Sequence, residues 1–341
     1  MTIAQVAVAA GVSTATVSRV MSGGGGVSPR LTERVRDTAR ALGYRPSALA
    51  QGLARGRSGT VGVVVPDLAN PYFQGVMAGF AAAAAATGHR MLVATSTEEA
   101  GLERTLAEDL LRQVDGLLLC SPRMPRADLQ GVLDAGRPVV VANRQLPGLA
   151  VATVCVDSYS GALEMAGHLL RLGHREIAYL AGPERSWSNG ERRRALRHAE
   201  SFGLHTVDVP CGATMDDGYR AVDVALASNP SVLLAFNDVV AFGALARLRE
   251  RGIDVPGAMS VAGFDDIAFS AYAAPALTTV RNATEEVGRQ SWAALAQIMA
   301  GERDVQPQLL TPTLVERAST AAVSTPDPRV TDQPLPRRER R

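Results

Sequence analysis

Residues 2–19 read TIAQVAVAAGVSTATVSR, and their spacing sets out two short helices joined by a glycine turn. Thr2 and Gln5 stand in capping-box register, so a threonine oxygen takes an amide of the first turn while the glutamine side chain reaches back. Ile3, Val6, Ala7 and Ala10 recur at helical spacing, and Gly11 supplies the left-handed backbone that stops the helix. Ser13 caps a second helix, whose Val17, Val20 and Met21 face the first. Thr14, Ala15, Ser18 and Arg19 are then free to reach base edges and phosphates. Helix, short turn, helix is also a common motif with no nucleic-acid role, so spacing alone leaves both readings open.

Charge favours the DNA-reading one. Residues 1–58 carry eight arginines (19, 30, 34, 36, 40, 45, 55, 57) against Glu33 and Asp37, a net of +6, which leaves −5 on the rest of a chain whose total is +1. A basic head on an acidic body suits phosphate binding by one part only. There is no lysine, and arginine favours bidentate contacts to phosphate or guanine, although genomic base composition explains the same bias. After the loop Gly23–Gly26, Ser28 and Pro29 open a third helix with Leu31, Val35, Ala39 and Leu42 as its buried stripe, ended by Gly43. Residues 46–54 start like a helix at Pro46 but are too few to be stable alone in water, and residues 55–59 read as a linker.

A length of 341 residues calls for a small module plus one or two larger ones, and 46% hydrophobic with 20% charged residues is the composition of a globular protein. No apolar run is long enough to span a bilayer, and no basic segment precedes an apolar one at the N-terminus, so the cytoplasm is the expected location. Cys120, Cys155 and Cys211 are odd in number and lack metal-ligand spacing; buried free thiols are expected, with no metal and no cofactor.

From Thr60 the texture changes to β-branched runs alternating with helix-length segments. Residues 60–66, 91–95, 116–120 and 138–142 give βαβ repetition and a parallel sheet. Residues 151–156, 176–182, 205–209, 231–236 and 259–264 read as a second doubly wound sheet. Ligands in such folds bind beyond the carboxyl ends of the strands. The polar residues there are Asp67, Asn70, Asn143, Arg144, Asp157, Asn237, Asp238, Asp265 and Asp266, and helix capping is an equal reading for Asp67, Asp157 and Asp238. The tail from Ser324, rich in proline and ending RRERR, reads as disordered.

Together these segments resemble the LacI/GalR family of bacterial transcription regulators over residues 1–321. The resemblance rests, in family order, on TIAQVAVAAGVSTATVSRVMSG, VSPRLTERVRDTARALGYRPSALAQGLA, GVVVPDLANPYF, VDGLLL, GHLLRLGHREIAYLAGP, AFNDVVAFGALARLRERGIDVPGAMSVAGFDD and PALTTVRN. It implies an N-terminal all-α helix-turn-helix headpiece (residues 1–45), a hinge helix and linker (46–59) and a two-lobed α/β core resembling periplasmic binding proteins (60–321), with two doubly wound parallel sheets. Lobe 1 is expected at about 60–156 and 282–308, lobe 2 at about 157–281 and 309–321, and a disordered tail at 322–341.

The function implied is that of a DNA-binding repressor, acting as a homodimer on a palindromic operator and modulated by a sugar-like or polyol effector between the lobes. Thr14, Ala15, Thr16, Ser18 and Arg19 match recognition-helix positions. Leu53 matches a hinge leucine wedged into the minor groove, with ordinary packing as the other reading. Tyr72, Phe73, Asn143, Asn237 and Asp265 match positions beside the effector. The family usually has Ser-x-Arg-x-Arg-x-x-Gly after the loop that leaves the sixth strand. Here residues 188–195 read SNGERRRA, which puts Gly190 where the effector-gripping arginine is expected and leaves Arg192 either to swing in or to lie on a solvated basic face. The segment 195–209 is shorter than usual, and Gln51-Gly52 weakens the hinge helix by up to about 1 kcal/mol.

A solute-binding protein of a transporter would share the two-lobed core, but the basic headpiece and the missing export signal count against it. A sugar-processing enzyme finds no support, since there is no GxGxxG opening a helix and no P-loop. His89, His168, His174, His198 and His205 lack a motif-grade partner, with His168 and His174 placed in helix-to-strand packing.

Overall fold

The computed structural model describes residues 1–22, 24–44 and 58–323. Thr2 and Gln5 close the expected capping box, the Thr2 amide donating to Gln5 Oε1 at 2.8 Å and the Gln5 amide to Thr2 Oγ1 at 3.4 Å. Helix α1, Ile3–Ala10, stops at Gly11, whose φ of 62° lets the Val12 amide reach back to the Ala7 carbonyl at 3.0 Å. Ser13 caps α2, Thr14–Met21, and the two axes meet at 104°. Ser28 precedes α3, Pro29–Ala41, but its side chain makes no cap bond; Pro29 at the first position has its φ already set for the helix and adds no unpaired amide of its own. Val6, Ala7, Ala10, Val17, Val20, Val35 and Ala39 form one buried cluster, and the expected Leu31 and Leu42 lie half-buried at its rim. Residues 45–57, with the hinge leucine Leu53, and the tail from Ser324 lie outside the described residues.

The first parallel sheet begins with β1 Thr60–Val65, β2 Arg90–Thr95, β3 Gly116–Cys120, β4 Val139–Ala142 and β5 Ala152–Val156, joined through α4 Pro71–Ala86, α5 Ala100–Leu111 and α6 Arg126–Leu133. Its spatial order is β2-β1-β3-β4-β5, so β2 is an edge strand. The chain then builds α7 Ser158–Arg171, β6 Glu176–Ala181, α8 Trp187–Ala199, β7 His205–Pro210, α9 Met215–Ala225, β8 Val232–Ala235, α10 Asp238–Glu250 and β9 Ser260–Ala262. These strands make a second parallel sheet in the order β7-β6-β8-β9. From β10, Thr279–Arg281, the chain returns to the first lobe as α11, Thr284–Met299, and β11, Gln308–Leu310. That strand adds beside β5, and β12, Thr313–Val315, comes back to pair antiparallel with β10.

Two expectations need correction. Residues 151–156 do not open the second sheet: β5 lies against β4 in the first, with Val140 opposite Ala152 and Ala142 opposite Val154. The last crossing falls after Leu310 instead of at about 308, because Gln308, Leu309 and Leu310 stand in register with Val154, Cys155 and Val156 of β5. In each lobe two helices pack backbone to backbone. A methyl group on Gly79 of α4 would stand 2.0 Å from the Glu285 carbonyl oxygen of α11, and one on Gly243 of α10 would stand 1.9 Å from that of Met215 in α9. The segment after β12 is stitched to the second lobe by His168, whose Nε2 lies 3.1 Å from Thr320 Oγ1, and by His174, whose Nε2 lies 3.1 Å from the Ala321 carbonyl. Both rings are buried, and burial lowers both pKa values. Among the described residues no single helix is long and apolar enough to cross a membrane.

Candidate functional site

On α2 the buried stripe Val17 and Val20 turns the opposite face outward, and Thr14, Ala15, Ser18 and Arg19 are exposed. Thr16 is half-buried and serves the helix start, its amide donating to Ser13 Oγ at 3.2 Å and its hydroxyl lying 2.9 Å from the same oxygen. Four of the five expected recognition-helix side chains are thus presented together, and the fifth holds the cap.

Of the polar residues that follow the strands, Asn70 and Asn143 from the first sheet and Asn237 and Asp265 from the second converge on one cleft between the lobes, of about 450 Å³ including its mouth. All six expected effector residues line it: Tyr72, Phe73, Asn143, Arg192, Asn237 and Asp265. Asn70 accepts the Tyr72 amide at 2.9 Å and so starts α4, which places Tyr72 and Phe73 edge to face, 5.3 Å between centroids, as an apolar wall. Asn143 leaves β4 with φ 56° and donates from Nδ2 to the Tyr72 hydroxyl at 2.6 Å, which fixes the phenol; burial raises the Tyr72 pKa well above its ordinary value. Asn237 has a double task. Its Oδ1 caps α10 through the Val240 amide at 2.8 Å, and its Nδ2 donates to the Ala213 carbonyl at 3.1 Å.

Arg192 is buried in the cleft, which removes the solvated-face reading. Its guanidinium lies between Phe264 at 3.7 Å and Phe236 at 4.8 Å, donates to the Phe236 carbonyl through Nη1, and stands 3.8 Å from Asp265 Oδ1 through Nη2. Its Nε is buried without a partner, as is Oδ1 of Asn282, whose Nδ2 donates to Asp265 at 2.9 Å. Burial pushes the Asp265 carboxyl up to about 8; Arg192 pulls it down and Asp238 adds to the rise. The expected gripping position is corrected: Gly190 is exposed with open space around it, while Ser188 and Arg192, four residues apart on one helix face, line the cleft.

Glu98, Ser121, Arg123, Ser186 and Asn282 line the cleft too and were not singled out from the sequence. Arg123 donates to Glu98 through Nε at 2.7 Å and Nη2 at 3.1 Å, a bidentate pair of residues 25 apart in the chain. The remaining candidates are structural. Asp67 accepts the Ala69 amide at 2.8 Å, Asp157 the Ser160 amide at 3.0 Å, Arg144 holds the Met124 carbonyl at 2.6 Å, and Asp266 pairs with Arg281 and Arg317, both at 2.6 Å. Asp238 is fully buried and caps nothing in its own helix. Cys120 and Cys155 are buried thiols as expected, Cys211 only half-buried, and burial raises all three to about 12.

Residues 2–47 match the family model of bacterial regulatory proteins, lacI family, and residues 166–320 match that of a periplasmic binding protein-like domain. The chain is 36% identical to the HTH-type transcriptional regulator GalS of Salmonella typhimurium, over 94% of this chain and 97% of that one. It is 30% identical to the HTH-type transcriptional repressor CytR of Escherichia coli over the same shares. Among solved structures, the lac repressor dimer bound to operator and the anti-inducer ONPF superposes with a TM-score of 0.85 at 28% identity, covering 94% of this chain and 99% of that one. The CelR–cellobiose complex superposes at 0.70 and 32% identity, with the same coverage. These relatives are regulators and not enzymes.

Proposed function

The chain belongs to the lacI family of bacterial regulatory proteins and is a DNA-binding transcriptional regulator, and we propose that it is a repressor acting in the cytoplasm as a homodimer on a palindromic operator. A small neutral sugar or polyol held between the lobes modulates it. The observation that carries this reading is the coexistence, in one chain, of the exposed α2 face with a cleft into which both sheets send their polar strand ends. The cleft chemistry supports a neutral ligand, since Arg123 is paired bidentately with Glu98, and Arg192 has both faces covered by Phe264 and Phe236 and its Nη1 spent on the Phe236 carbonyl. A hydroxyl can both accept from the free Arg192 Nε and donate to the free Asn282 Oδ1. Selecting a palindrome from random duplex DNA and screening sugars against sugar acids and phosphates by thermal shift tests both halves; an anionic ligand binding best would sink the second.

A second copy fits the β2 edge of lobe 1, where Leu92 and Val93 are 41% and 38% exposed on a strand whose outer edge pairs with no other described strand. Leu92→Glu should give a monomer by sedimentation and weaken binding to the full palindrome by roughly a hundredfold, because each half-site then binds alone. A dimer that persists in this variant would remove β2 from the interface.

Arg19→Ala should weaken binding to the palindrome and to random DNA alike, whereas Leu53→Ala should weaken chiefly the palindrome. An arginine contacts phosphate as well as bases, while a wedge gains only at a deformable step. Equal losses on the two DNAs for Leu53→Ala would count against the wedge.

A further inference from the structure

The joint between the DNA-binding segment and the core is closed by one carboxylate. Ser58 and Gly59, the first described residues after the hinge segment, both point their amides at Asp115: Ser58 N–H donates to Oδ1 at 2.6 Å and Gly59 N–H to Oδ2 at 2.7 Å. A change of backbone hand lets two consecutive amides converge on one anion, and Gly59 has φ 64°. Below the clamp the Gly59 carbonyl accepts from the Arg90 amide at 3.0 Å and the Thr60 carbonyl from the Asp115 amide at 2.8 Å, so the joint is continuous with the sheet.

Position in the fold gives this contact its meaning. β1 starts at Thr60, one residue past the clamp, and β3 starts at Gly116, one residue past Asp115. The two strands run parallel and paired from Val61 and Gly116 to Val64 and Leu119. At their other ends they deliver Tyr72 and Phe73, and Ser121 and Arg123, to the interlobe cleft. A lobe movement set at the cleft therefore reaches the linker through two stiff, hydrogen-bonded strands whose last hold on it is the Asp115 carboxylate.

We propose that Asp115 is the positioning residue that fixes the exit of the DNA-binding segment from lobe 1, so that operator binding depends on its two charge-assisted hydrogen bonds although it touches neither DNA nor effector. This rests on the reading of the chain as an operator-binding repressor. Charge-assisted bonds of this kind are stronger than neutral ones, and losing both frees the linker to sample orientations in which two headpieces no longer match two half-sites.

The test uses the full chain, with two probes: a palindrome selected by the wild type from random duplex DNA, and a scrambled duplex of the same length. Asp115→Ala should weaken palindrome binding about tenfold while scrambled DNA changes less than about twofold, since nonspecific binding needs phosphate contacts and no fixed register. Trypsin should cut after Arg57 faster in the same variant while the core keeps its melting temperature. Asp115→Asn should fall between, because its oxygen accepts one amide and its NH2 opposes the other. Where Asp115→Ala melts early, Gly59→Val decides: it leaves the carboxylate in place, spoils the left-handed turn and should give the same selective loss. Unchanged palindrome binding in these variants, or an equal loss on both duplexes, overturns the proposal. A wild-type chain that selects no palindrome overturns the functional reading itself and the proposal with it.

Discussion

Replacing Arg192 by lysine is expected to weaken binding of the best-stabilising sugar at least about tenfold, and replacing it by methionine about a hundredfold, with operator binding no longer responding to that sugar. The argument comes from what holds the guanidinium. Phe264 and Phe236 cover its faces, Nη1 is spent on the Phe236 carbonyl, and Nη2 is turned toward Asp265, which leaves Nε as the buried donor without a partner. Lysine keeps the charge but has neither a planar face to lie between two rings nor a second fixed donor, so it is no conservative change here. Methionine fills the slot and removes every donor. Position 190 supplies the control, since it lies in open space on the exposed side of α8, so Gly190→Arg should change affinity by less than about twofold. Calorimetric titration of the three variants decides the matter. Wild-type affinity in Arg192→Lys would remove the grip from Arg192, and a strong effect of Gly190→Arg would bring position 190 within reach of the ligand.

What could be read from the residues alone depended on how local each feature was. The headpiece was legible because Thr2, Gln5, Gly11 and Ser13 act on backbone within a few residues of themselves, and they do so as spaced. Strand existence was legible too, but strand membership was not. Residues 152–156 look like any other buried run, and only the pairing with β4 tells that they join the first sheet before the chain crosses over. At Arg192 the residues leave two readings open, a cleft position and a solvated face, although helical periodicity separates them. Two residues along a helix are about 200° of rotation, so Gly190 has to face away from the side shared by Ser188 and Arg192. The Glu98–Arg123 pair and the Asp115 clamp were beyond reach, because each joins segments whose proximity exists only once the first sheet has formed.

The largest effect on stability is expected at Asp238, where alanine should cost about 3 kcal/mol and asparagine should change the response of the fold to pH. The carboxylate has no solvent exposure. Its Oδ2 accepts the Ile267 amide at 3.0 Å and the Ser270 hydroxyl at 2.6 Å, and its Oδ1 accepts the Thr279 hydroxyl at 2.5 Å. It thereby ties the start of α10 to the turn that follows Asp265 and to β10. Alanine would leave three buried donors unpaired, a larger loss than the bonds are worth net. Burial pushes the carboxyl up to about 7, against those three bonds, whereas in the unfolded chain it titrates near the ordinary aspartate value of about 4. Below pH 4 both states hold the proton and stability is level. Between about 4 and 7 the native state keeps a proton that the unfolded chain has lost, so rising pH favours unfolding; above 7 both are ionised and the curve is level again. Between pH 5 and pH 8, which takes in about two units of that window, wild type should lose roughly 3 kcal/mol relative to Asp238→Asn, which has nothing to titrate there. Asp265, raised in the same way, is present in both chains and largely cancels from the difference. Urea melts of the two chains at pH 5 and pH 8 measure it. Parallel stabilities at the two pH values would mean that the buried carboxylate is ionised throughout, held so by its three donors.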